Sequence, residues 1–337
     1  MKSYRIAIVG VLGAVGSQMV KMLEKSSIQV EYFKPLDTAH NVGELIDFRG
    51  SAWAVQEAKE GKFEDIDIAL FSAGAAASKQ LAPIAVAEGA VVVDNSSQWR
   101  MDENVPLVVP EVNPEALRSH RGIIANPNCS TIQMVVALKP LQDAFGIKRV
   151  VVSTYQAVSG SGMAGIEELT EQTRAVLAGE DVSPRIYPHR IAFNAIPQID
   201  VFLENGYTKE EWKMVEETHK ILESDIPVSP TAVRVPVYRG HSESINVEFE
   251  RPFDLAEVYH VLEGMAGLAI IDEVGKSEYP LAAACEGRGR VYVGRIRRDF
   301  SVKSGINMWV VSDNLLKGAA LNTVQIAEKL VQMGLVD

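Results

Sequence analysis

Residues 5–16 read Arg-Ile-Ala-Ile-Val-Gly-Val-Leu-Gly-Ala-Val-Gly, an apolar run that passes directly into glycines at positions 10, 13 and 16. The residues that follow, 17–23, are apolar at helical spacing. Glycines in a strand-to-helix turn let the backbone approach a diphosphate and place it at the helix N-terminus. A tight turn without a ligand has a similar pattern, but the position after a first strand favours a dinucleotide site.

Short apolar runs alternate with helical patterns from this turn to about residue 128. Strands are predicted over 28–33, 67–72, 90–94 and 123–124, and Ser78 is predicted to cap a helix that ends at Glu88. Strands alternating with helices at this spacing predict a doubly wound parallel sheet of the Rossmann type. From residue 148 the strands become longer and alternate, and the chain closes with a predicted helix over 316–333. We therefore predict an α/β protein with a Rossmann-type domain over 1–128, to which helix 314–337 returns, and an α+β domain over 129–313.

Composition excludes several classes of partner. The chain has 337 residues and a net charge of −11, which argues against nucleic acid or an anionic membrane as the main partner. No apolar run approaches the roughly 18 residues needed to span a bilayer, and a predicted strand begins directly after residue 4, which leaves no room for a signal peptide. Two distant cysteines, Cys129 and Cys285, suggest a reducing compartment. We expect a cytoplasmic protein that acts on a small molecule and has no metal site.

Cys129 lies in Ala125-Asn-Pro-Asn-Cys-Ser-Thr131, between a short apolar run and a segment that is apolar at helical spacing. Ser130 or Thr131 is available as the N-cap of that helix, which places the sulfur at or beside a helix N-terminus. The thiol pKa is then expected to fall from about 8.5 into the range of roughly 3.5–7.5. A buried structural cysteine is the alternative, because a nucleophile needs a base and substrate-binding groups from elsewhere in the chain.

Polar residues at predicted element ends provide candidates for those groups. Gln156 ends the alternating stripe Val150, Val152, Thr154 of a predicted strand, so it is either a satisfied core amide or a substrate contact. Arg100 follows a predicted strand and either faces a ligand crevice or lies on the surface. 

Three further candidates come from later in the chain. Glu217 and Lys220 share one face of a helix that the capping box Thr208–Glu211 opens, where they form either a surface ion pair or part of a cleft. In the alternating run 231–239, Arg234 points away from the face formed by its valines. Gly240–Glu243 is predicted as a turn before a strand over 245–250.

A dinucleotide turn together with a capped cysteine indicates acyl chemistry, in which a thioester is reduced or a thiohemiacetal oxidised. The chain resembles the aspartate-semialdehyde dehydrogenases from its first strand to its last helix. The motifs that carry the resemblance are Gly13-Ala-Val-Gly16, Val108-Val-Pro-Glu-Val-Asn113-Pro, Asn126-Pro-Asn-Cys129-Ser-Thr131, Gly240-His-Ser-Glu243 and Asp313-Asn-Leu-Leu-Lys-Gly-Ala-Ala320. The cysteine motif with Gly-His-Ser downstream is specific, whereas the glycine turn is shared widely.

The resemblance implies a role for each matching residue. Cys129 would be the nucleophile, His241 its acid/base partner and Gln156 the residue that positions the thioester. The implied substrate and phosphate ligands are Arg100 and Lys220 for phosphate, Arg234 for the α-carboxylate, Glu217 for the α-ammonium group, and Asn128. The implied cofactor contacts are Gly10, Leu12, Gly13, Ala14, Val15, Gly16, His40, Asn41, Ser159, Gly160 and Asn314. Residues 129–313 would form the catalytic and dimerisation domain of a homodimer.

The cofactor prediction depends on the segment after the second strand. Asp37-Thr-Ala-His-Asn41 contains an acidic residue, which favours NAD, and residues that suit the 2′-phosphate of NADP. Family members commonly carry Ala-Arg-Ser where this chain has Ala39-His-Asn41, and Ala-Thr where it has Val11-Leu12. The resemblance implies NADP, with NAD as the alternative.

The implied reaction is the reversible reductive dephosphorylation of L-aspartyl 4-phosphate to L-aspartate 4-semialdehyde, in the biosynthesis of lysine (through diaminopimelate), threonine and methionine. One alternative is an enzyme similar to N-acetyl-gamma-glutamyl-phosphate reductase, whose acylated substrate would offer Glu217 no cation. Another is a catalytically silent paralogue that binds a nucleotide, which retention of Cys129, Gln156, Arg234 and His241 argues against. A cysteine hydrolase would leave the glycine turn unexplained.

Overall fold

The structure, a computed structural model, describes residues 2–336, and the chain divides into two compact units. The first unit comprises Met1–Pro127 and Ala319–Asp337, and the second comprises Asn128–Gly318. The sequence predicts residue 128 as the end of the first domain and residue 314 as the start of the return to it. 

The strands, in chain order, are β1 Tyr4–Val9, β2 Val30–Asp37, β3 Leu45–Phe48, β4 Ser51–Ala54, β5 Gln56–Glu57, β6 Ile68–Phe71, β7 Val91–Asp94, β8 Ile123–Ala125, β9 Ile147–Gln156, β10 Val228–Arg234, β11 His241–Phe249, β12 Leu268–Ile270, β13 Val291–Arg298 and β14 Gly305–Ser312. The helices are α1 Ala14–Lys25, α2 Ala75–Ala87, α3 Cys129–Phe145, α4 Gly162–Ala178, α5 Lys209–Leu222, α6 Leu255–Glu263, α7 Ala282–Cys285 and α8 Leu321–Gln332. The predicted closing helix begins with a π-helical turn, Leu316–Ala320, and continues directly as α8.

The first unit is built on a parallel sheet with strand order β5-β2-β1-β6-β7-β8. All four residues of β6 are buried, as expected for a strand covered on both faces. The chain runs outward from β1 to β2 and then crosses to β6 on the other side of β1. In such sheets ligands bind beyond the carboxyl ends of the strands where the order reverses. The predicted doubly wound sheet is therefore confirmed, and its crevice lies at the ends of β1 and β6.

Two local predictions in this unit are wrong. β2 extends to Asp37 rather than ending at 33, because its second half pairs with β1 as far as Leu36 opposite Val9. α2 begins at Ala75 after Gly74, so Ser78 lies within the helix instead of capping it. Its hydroxyl oxygen accepts a hydrogen bond from Trp99 Nε1 at 3.0 Å.

The second unit is built on a mixed sheet with strand order β10-β9-β11-β14-β13-β12. α3 packs against one face of this sheet, where it contacts β9, β11, β13 and β14. The predicted stripe of β9 is confirmed, since Val150, Val152, Thr154 and Gln156 are all buried. Side chains alternate between faces along a strand, so the intervening residues lie on the opposite face.

The ends of two strands in this unit differ from the prediction. His241 and Glu243 lie within β11 rather than in a turn, because they pair with Ser312 and Val310 of β14. β10 runs Val228–Arg234 instead of 231–239, and the chain leaves the sheet directly after Arg234. Pairing with strands distant in sequence sets the start of β11 and the end of β10. The local alternation of apolar and polar residues does not reveal that pairing.

Candidate active site

In the glycine turn after β1, Gly10 and Gly16 occupy positions that have no room for a Cβ atom. Gly10 has φ +77°, and a Cβ there would lie 2.4 Å from the carbonyl oxygen of Ser72. A Cβ at Gly16 would lie 2.0 Å from the carbonyl oxygen of Gly10. Gly13 precedes α1 and makes no side-chain cap, so the first N–H groups of the helix remain available to an anion.

A cavity of about 690 Å³ opens beside this turn within the first unit. Its lining includes Gly10 and Gly13 of the turn, Asp37 and Thr38 after β2, and Ser72 after β6. This volume is within the range of small-molecule and cofactor sites. The predicted cofactor contacts of the glycine turn, Gly10 and Gly13, thus lie at the crevice, and the residues present suit a dinucleotide.

At the end of β2, the residues that line the cavity do not include the two that the sequence predicts as cofactor contacts, His40 and Asn41. His40 is exposed, in the 3-10 turn Ala39–Asn41. Asn41 points its amide at Asp37, whose Oδ1 accepts from Asn41 Nδ2 at 2.8 Å. Asp37, which was not selected as a site residue, is buried and lines the cavity. The sequence offered its carboxylate only as a feature that favours NAD, and its position as the last residue of β2 places it in the cavity wall.

In the second unit, Cys129 is the first residue of α3 and is half-buried. The N-cap is Asn128, whose Oδ1 accepts from the backbone N of Ser130 at 3.0 Å and of Thr131 at 3.4 Å. The prediction of Ser130 or Thr131 as cap is therefore wrong, because these residues already have helical positions and donate to the cap. The thiol nevertheless lies at the helix N-terminus, where the dipole favours an anion.

Gly318 lies directly against the cysteine. A Cβ at Gly318 would be 2.8 Å from the Cβ of Cys129, so any side chain there would displace the thiol. Sequence reasoning missed this residue as part of the site. The signal was present, since Gly318 belongs to the motif 313–320 that carries the family resemblance.

Glu210 connects the cap to Gln156. Its Oε1 accepts from Asn128 Nδ2 at 2.9 Å and from Gln156 Nε2 at 3.2 Å, and Lys213 Nζ lies 3.2 Å from Oε2. Burial alone would raise the pKa of Glu210, but the charge of Lys213 and these hydrogen bonds outweigh burial and lower it. Sequence reasoning missed Glu210 because the first turn of α5 resembles any acidic helix start.

Glu217, which also lies on α5, supports the N-cap of α3 as well. It is buried, and its Oε2 accepts from the backbone N of Asn128 at 2.6 Å. The alternative of a surface ion pair is therefore wrong for Glu217. Lys220 lies on the same helix and is half-buried.

Gln156, Arg234 and His241 meet at one edge of the mixed sheet. Arg234 is the register partner of Gln156 at the carboxyl ends of β10 and β9. His241 begins β11, which runs antiparallel to β9. The three side chains are 1%, 5% and 0% exposed, which excludes a role as solvated surface groups.

His241 is held as a neutral ring. Its Nδ1 accepts from the backbone N of Ala157 at 3.1 Å, so we assign the ring proton to Nε2. Burial, with a smaller contribution from the charge of Arg234, lowers the pKa of His241 well below its ordinary value of 6.5. Nε2 is buried and has no hydrogen-bond partner in the described part of the chain. It therefore presents an N–H that a bound molecule can satisfy.

Gly160 leaves open the space between His241 and Arg234. A Cβ at Gly160 would lie 2.8 Å from Arg234 Nη1 and 3.5 Å from His241 Nε2. Arg234 Nη1 donates to the carbonyl oxygen of Ala157 at 2.7 Å, which fixes the guanidinium and leaves its other N–H groups for a ligand. An acceptor oxygen of a bound molecule in this space would be within reach of Arg234 Nη1 and His241 Nε2.

Ser159 and Asn314 stabilise the same segment. Asn314 Nδ2 donates to Ser159 Oγ at 3.0 Å, and Asn314 Oδ1 accepts from the backbone N of Gly240 at 2.9 Å. These contacts join the Ser159–Gly160 turn to the residue before His241.

Arg100 lies in the first unit, after β7. It is 8% exposed, and its Nη2 donates to the carbonyl oxygen of Asn95 at 3.0 Å. The alternative of a solvated surface arginine is therefore wrong.

Comparison with known proteins identifies the family. Residues 5–120 match the model of the semialdehyde dehydrogenase NAD binding domain, and residues 138–317 match that of the semialdehyde dehydrogenase dimerisation domain. An aspartate-semialdehyde dehydrogenase of Aquifex aeolicus is 53% identical over 338 residues, which cover 99% of each chain. The chain belongs to the aspartate-semialdehyde dehydrogenase family.

Other members of the family agree with this assignment. The aspartate-semialdehyde dehydrogenase of Bacillus subtilis is 49% identical over 344 residues, which cover 99% of each chain. The crystal structure of aspartate-semialdehyde dehydrogenase II from Vibrio cholerae superposes with a TM-score of 0.96 at 48% identity, covering 98% of this chain and 99% of that one. The predicted family is confirmed, and with it an oxidoreductase of amino-acid biosynthesis that uses a nicotinamide dinucleotide.

Among the described residues, no helix combines the length and apolar character needed to cross a bilayer.

Proposed function

We propose that this chain catalyses the reversible reductive dephosphorylation of L-aspartyl 4-phosphate to L-aspartate 4-semialdehyde through a thioester on Cys129. The observation that carries the proposal is Cys129 at the first position of α3, with its cap tied through Glu210 to Gln156. Relatives about half identical along their whole length bear the name of that enzyme, which supports the choice of substrate.

The chemistry assigned to Cys129 is acyl transfer. The helix N-terminus favours the thiolate, which attacks the acyl carbon of the aspartyl phosphate. The carbon–oxygen bond to phosphate breaks, phosphate leaves, and a thioester remains on Cys129. The nicotinamide dinucleotide, when bound, supplies the hydride in this direction and accepts it in reverse. Release of the semialdehyde then restores the cysteine sulfur.

His241 is proposed to donate a hydrogen bond to the acyl oxygen, and Gln156 is proposed to orient the thioester. The Nε2–H of a neutral His241 can donate to the oxygen as negative charge develops on it. Gln156 is oriented because its Nε2 donates to Glu210 and to Thr154 Oγ1 at 3.3 Å. An amide held in this way can position the thioester without its own proton transfer.

The proposed substrate ligands follow from charge. Arg234 would bind the α-carboxylate with two parallel hydrogen bonds in the space that Gly160 leaves. Glu217 would bind the α-ammonium group in addition to holding Asn128. The family resemblance assigns Arg100 and Lys220 to the phosphate and includes Asn128 among the ligands of the substrate or phosphate.

The cofactor end is proposed from the glycine turn and the segment after it. The diphosphate would lie against Gly10, Leu12, Gly13, Ala14, Val15 and Gly16, with His40 and Asn41 toward the ribose and Ser159, Gly160 and Asn314 toward the nicotinamide. The family resemblance favours NADP, with NAD as the alternative. Both share the diphosphate site, so the choice rests on the ribose end.

A homodimer in the cytoplasm, serving lysine, threonine and methionine biosynthesis, completes the proposal. The match of residues 138–317 to a dimerisation domain supports the dimer. The sheet face opposite α3 also carries Tyr155, which is 37% exposed and has its ring centroid 5.4 Å from that of Trp309. Aromatic side chains on an exposed sheet face are typical of an association surface.

A phosphate-dependent assay tests this function. Aspartate semialdehyde, phosphate and NADP or NAD are mixed with the purified chain, and formation of the reduced nicotinamide is followed by absorbance. We expect reduction only when phosphate is present. Absence of phosphate-dependent reduction with both dinucleotides would contradict the proposal, and faster turnover of N-acetylglutamate semialdehyde would favour the related reductase.

A further inference from the structure

The last residue of β2 lies where the two nicotinamide cofactors differ. Leu36 pairs with Val9, the last residue of β1, so Asp37 follows at the carboxyl edge beside the glycine turn. In doubly wound sheets an acidic residue about 20 positions after the turn hydrogen-bonds the adenosine ribose 2′-hydroxyl. NADP carries a phosphate on that hydroxyl. Asp37 therefore lies at the position that distinguishes NAD from NADP.

Three N–H donors fix the Asp37 carboxylate. Oδ1 accepts from the backbone N of Thr38 and from Asn41 Nδ2, each at 2.8 Å. Oδ2 accepts from the backbone N of Leu12, within the glycine turn, at 3.1 Å. A carboxylate offers about four acceptor positions, so Oδ2 keeps one for a further donor. The side chain is only 8% exposed and held on both oxygens, so it is not free to turn away from a ligand.

The cavity beside Asp37 carries more negative than positive charge. The described residues that line it include the acidic Asp37, Glu57 and Glu60, and the basic Lys59. Lys59 Nζ lies 2.5 Å from the carboxylate of Glu57, so the positive charge of Lys59 is already paired within the cavity wall. His40, which was predicted to contact the cofactor, is exposed and is not among the lining residues.

These features favour a hydroxyl over a phosphate. A 2′-hydroxyl has the proton that the free position on Oδ2 accepts. A phosphate monoester carries about −1.5 to −2 charges at pH 7, and a fixed carboxylate repels it. The nearest side chains of the cavity wall do not offset that repulsion, because their sum is acidic.

We propose that this chain binds NAD in preference to NADP, with Asp37 accepting a hydrogen bond from the adenosine ribose 2′-hydroxyl. The inference rests on the proposed function, and it reverses the order of the two cofactors that the family resemblance implies. It concerns dinucleotide binding alone, so it can be measured without turnover.

Calorimetric titration of the full chain with NAD and, separately, NADP tests the inference. We expect the Kd of NAD to be lower by at least about tenfold, the effect of one hydrogen bond to a charged group. Asp37→Ser should shift the ratio of the two Kd values toward NADP by at least about tenfold, since it removes the acceptor and the charge together. Asp37→Asn, which keeps the shape and one acceptor oxygen, should shift the ratio in the same direction.

Glu64→Gln is the matched control, because Glu64 is exposed, lies four residues before β6 and loses the same charge. It should keep the wild-type ratio. Equal or tighter binding of NADP by the wild-type chain would overturn the inference, as would an unchanged ratio in both Asp37 variants. If neither dinucleotide binds, both the inference and the proposed function are contradicted. If NAD binds more tightly but semialdehyde is not oxidised, only the proposed function falls.

Discussion

Cys129 and Cys285 differ in the setting of their thiols. Cys129 is half-buried at the first position of a helix, where backbone N–H groups point toward an anion. Cys285 is buried at the end of the short helix α7, and burial raises the pKa of its thiol to about 11. At neutral pH Cys285 therefore stays protonated and is a poor nucleophile.

Replacing each cysteine by alanine separates these roles. Cys129→Ala should lower turnover by about 10³-fold or more, since no other group forms the thioester. Its affinity for the dinucleotide, measured by calorimetry, should be unchanged. Cys285→Ala should keep wild-type turnover and lose only about 1 kcal/mol of stability. A Cys129→Ala chain with a tenth of the wild-type activity would rule out the acyl-enzyme.

Glu243 is a buried acid two residues after His241 on the same face of β11. It is fully buried, and among the described residues neither carboxyl oxygen has a hydrogen-bond partner. Burial raises the pKa of Glu243 well above 4.5, and the nearby amide of Gln133 offsets this only in part. The folded chain then holds a proton that the unfolded chain releases. The free energy of unfolding therefore falls as pH rises from the ordinary pKa toward the raised one.

Glu243→Gln should remove this pH dependence, because the amide is close in shape to the protonated acid and carries no charge. The Tm of the variant minus that of the wild type should increase between pH 5 and pH 8. The corresponding difference in the free energy of unfolding should rise by at most about 1.4 kcal/mol per pH unit. Thermal unfolding at several pH values measures it. Glu250→Gln, exposed just after the same strand, should show a constant difference. A constant difference for Glu243→Gln as well would mean that Glu243 is ionised in the folded chain.

At the scale of elements, α3 depends on one residue for its start. Asn128 caps the helix with its side-chain oxygen, donates to Glu210 with its amide and donates to Glu217 with its backbone N. The cap thus joins α3 to α5 at the residue before Cys129, the proposed nucleophile. By contrast, Asp254 caps α6 at an exposed position, through a capping box formed within α6 itself.

Asn128→Ala and Asp254→Ala should therefore differ in their effects on catalysis. Loss of each cap should cost about 1 kcal/mol in the free energy of unfolding measured with denaturant, and Asn128→Ala should cost more, because the buried carboxylate of Glu210 also loses a hydrogen bond. Asn128→Ala should also slow alkylation of Cys129 by iodoacetamide and reduce turnover by up to about 100-fold, because the thiol is displaced. Asp254→Ala should change neither rate. Equal effects of both variants on turnover would show that the cap serves stability alone.

At the scale of the whole molecule, the mixed sheet has one face packed on α3, and its other face carries the exposed Tyr155 and the half-buried Trp309. Ser244 pairs with Trp309, and Ser242 pairs with Tyr155, so these residues share the face opposite His241 and Glu243. A pocket of about 300 Å³ on the same face includes Ser244, Trp309 and Arg297. Pockets lined by aromatic and arginine side chains are typical centres of protein interfaces.

Tyr155→Glu should weaken the proposed homodimer, because it buries a charge in the centre of the interface. Sedimentation equilibrium should give a dimer for the wild type and an increased monomer fraction for the variant. Leu45→Glu is the control, since Leu45 is 67% exposed and lies outside the residues matched to the dimerisation domain. A wild-type monomer, or a Tyr155→Glu chain that dimerises as tightly as the wild type, would contradict the use of this face.

Features that depend on neighbours in the chain could be predicted from sequence. The glycine turn at 10–16, the buried stripe of β9 and the capping box Thr208–Glu211 are confirmed. Each arises from the sterics or hydrogen bonds of residues a few positions apart, which spacing alone reveals. The motif around Cys129 belongs to the same class and is sufficient to indicate the family.

Features that depend on distant partners were decided by the tertiary structure. β2 reaches Asp37 only because it pairs with β1, and His241 belongs to a strand only because β14 lies beside it. Glu210 receives hydrogen bonds from residues 54 and 82 positions away, so nothing in its local sequence distinguishes it from other helix-start acids. Burial and pairing across the fold set the charge state and orientation of such groups. The sequence by itself therefore determined the family and the dinucleotide turn and proposed Cys129 as the nucleophile, whereas the structure decided which polar groups surround them.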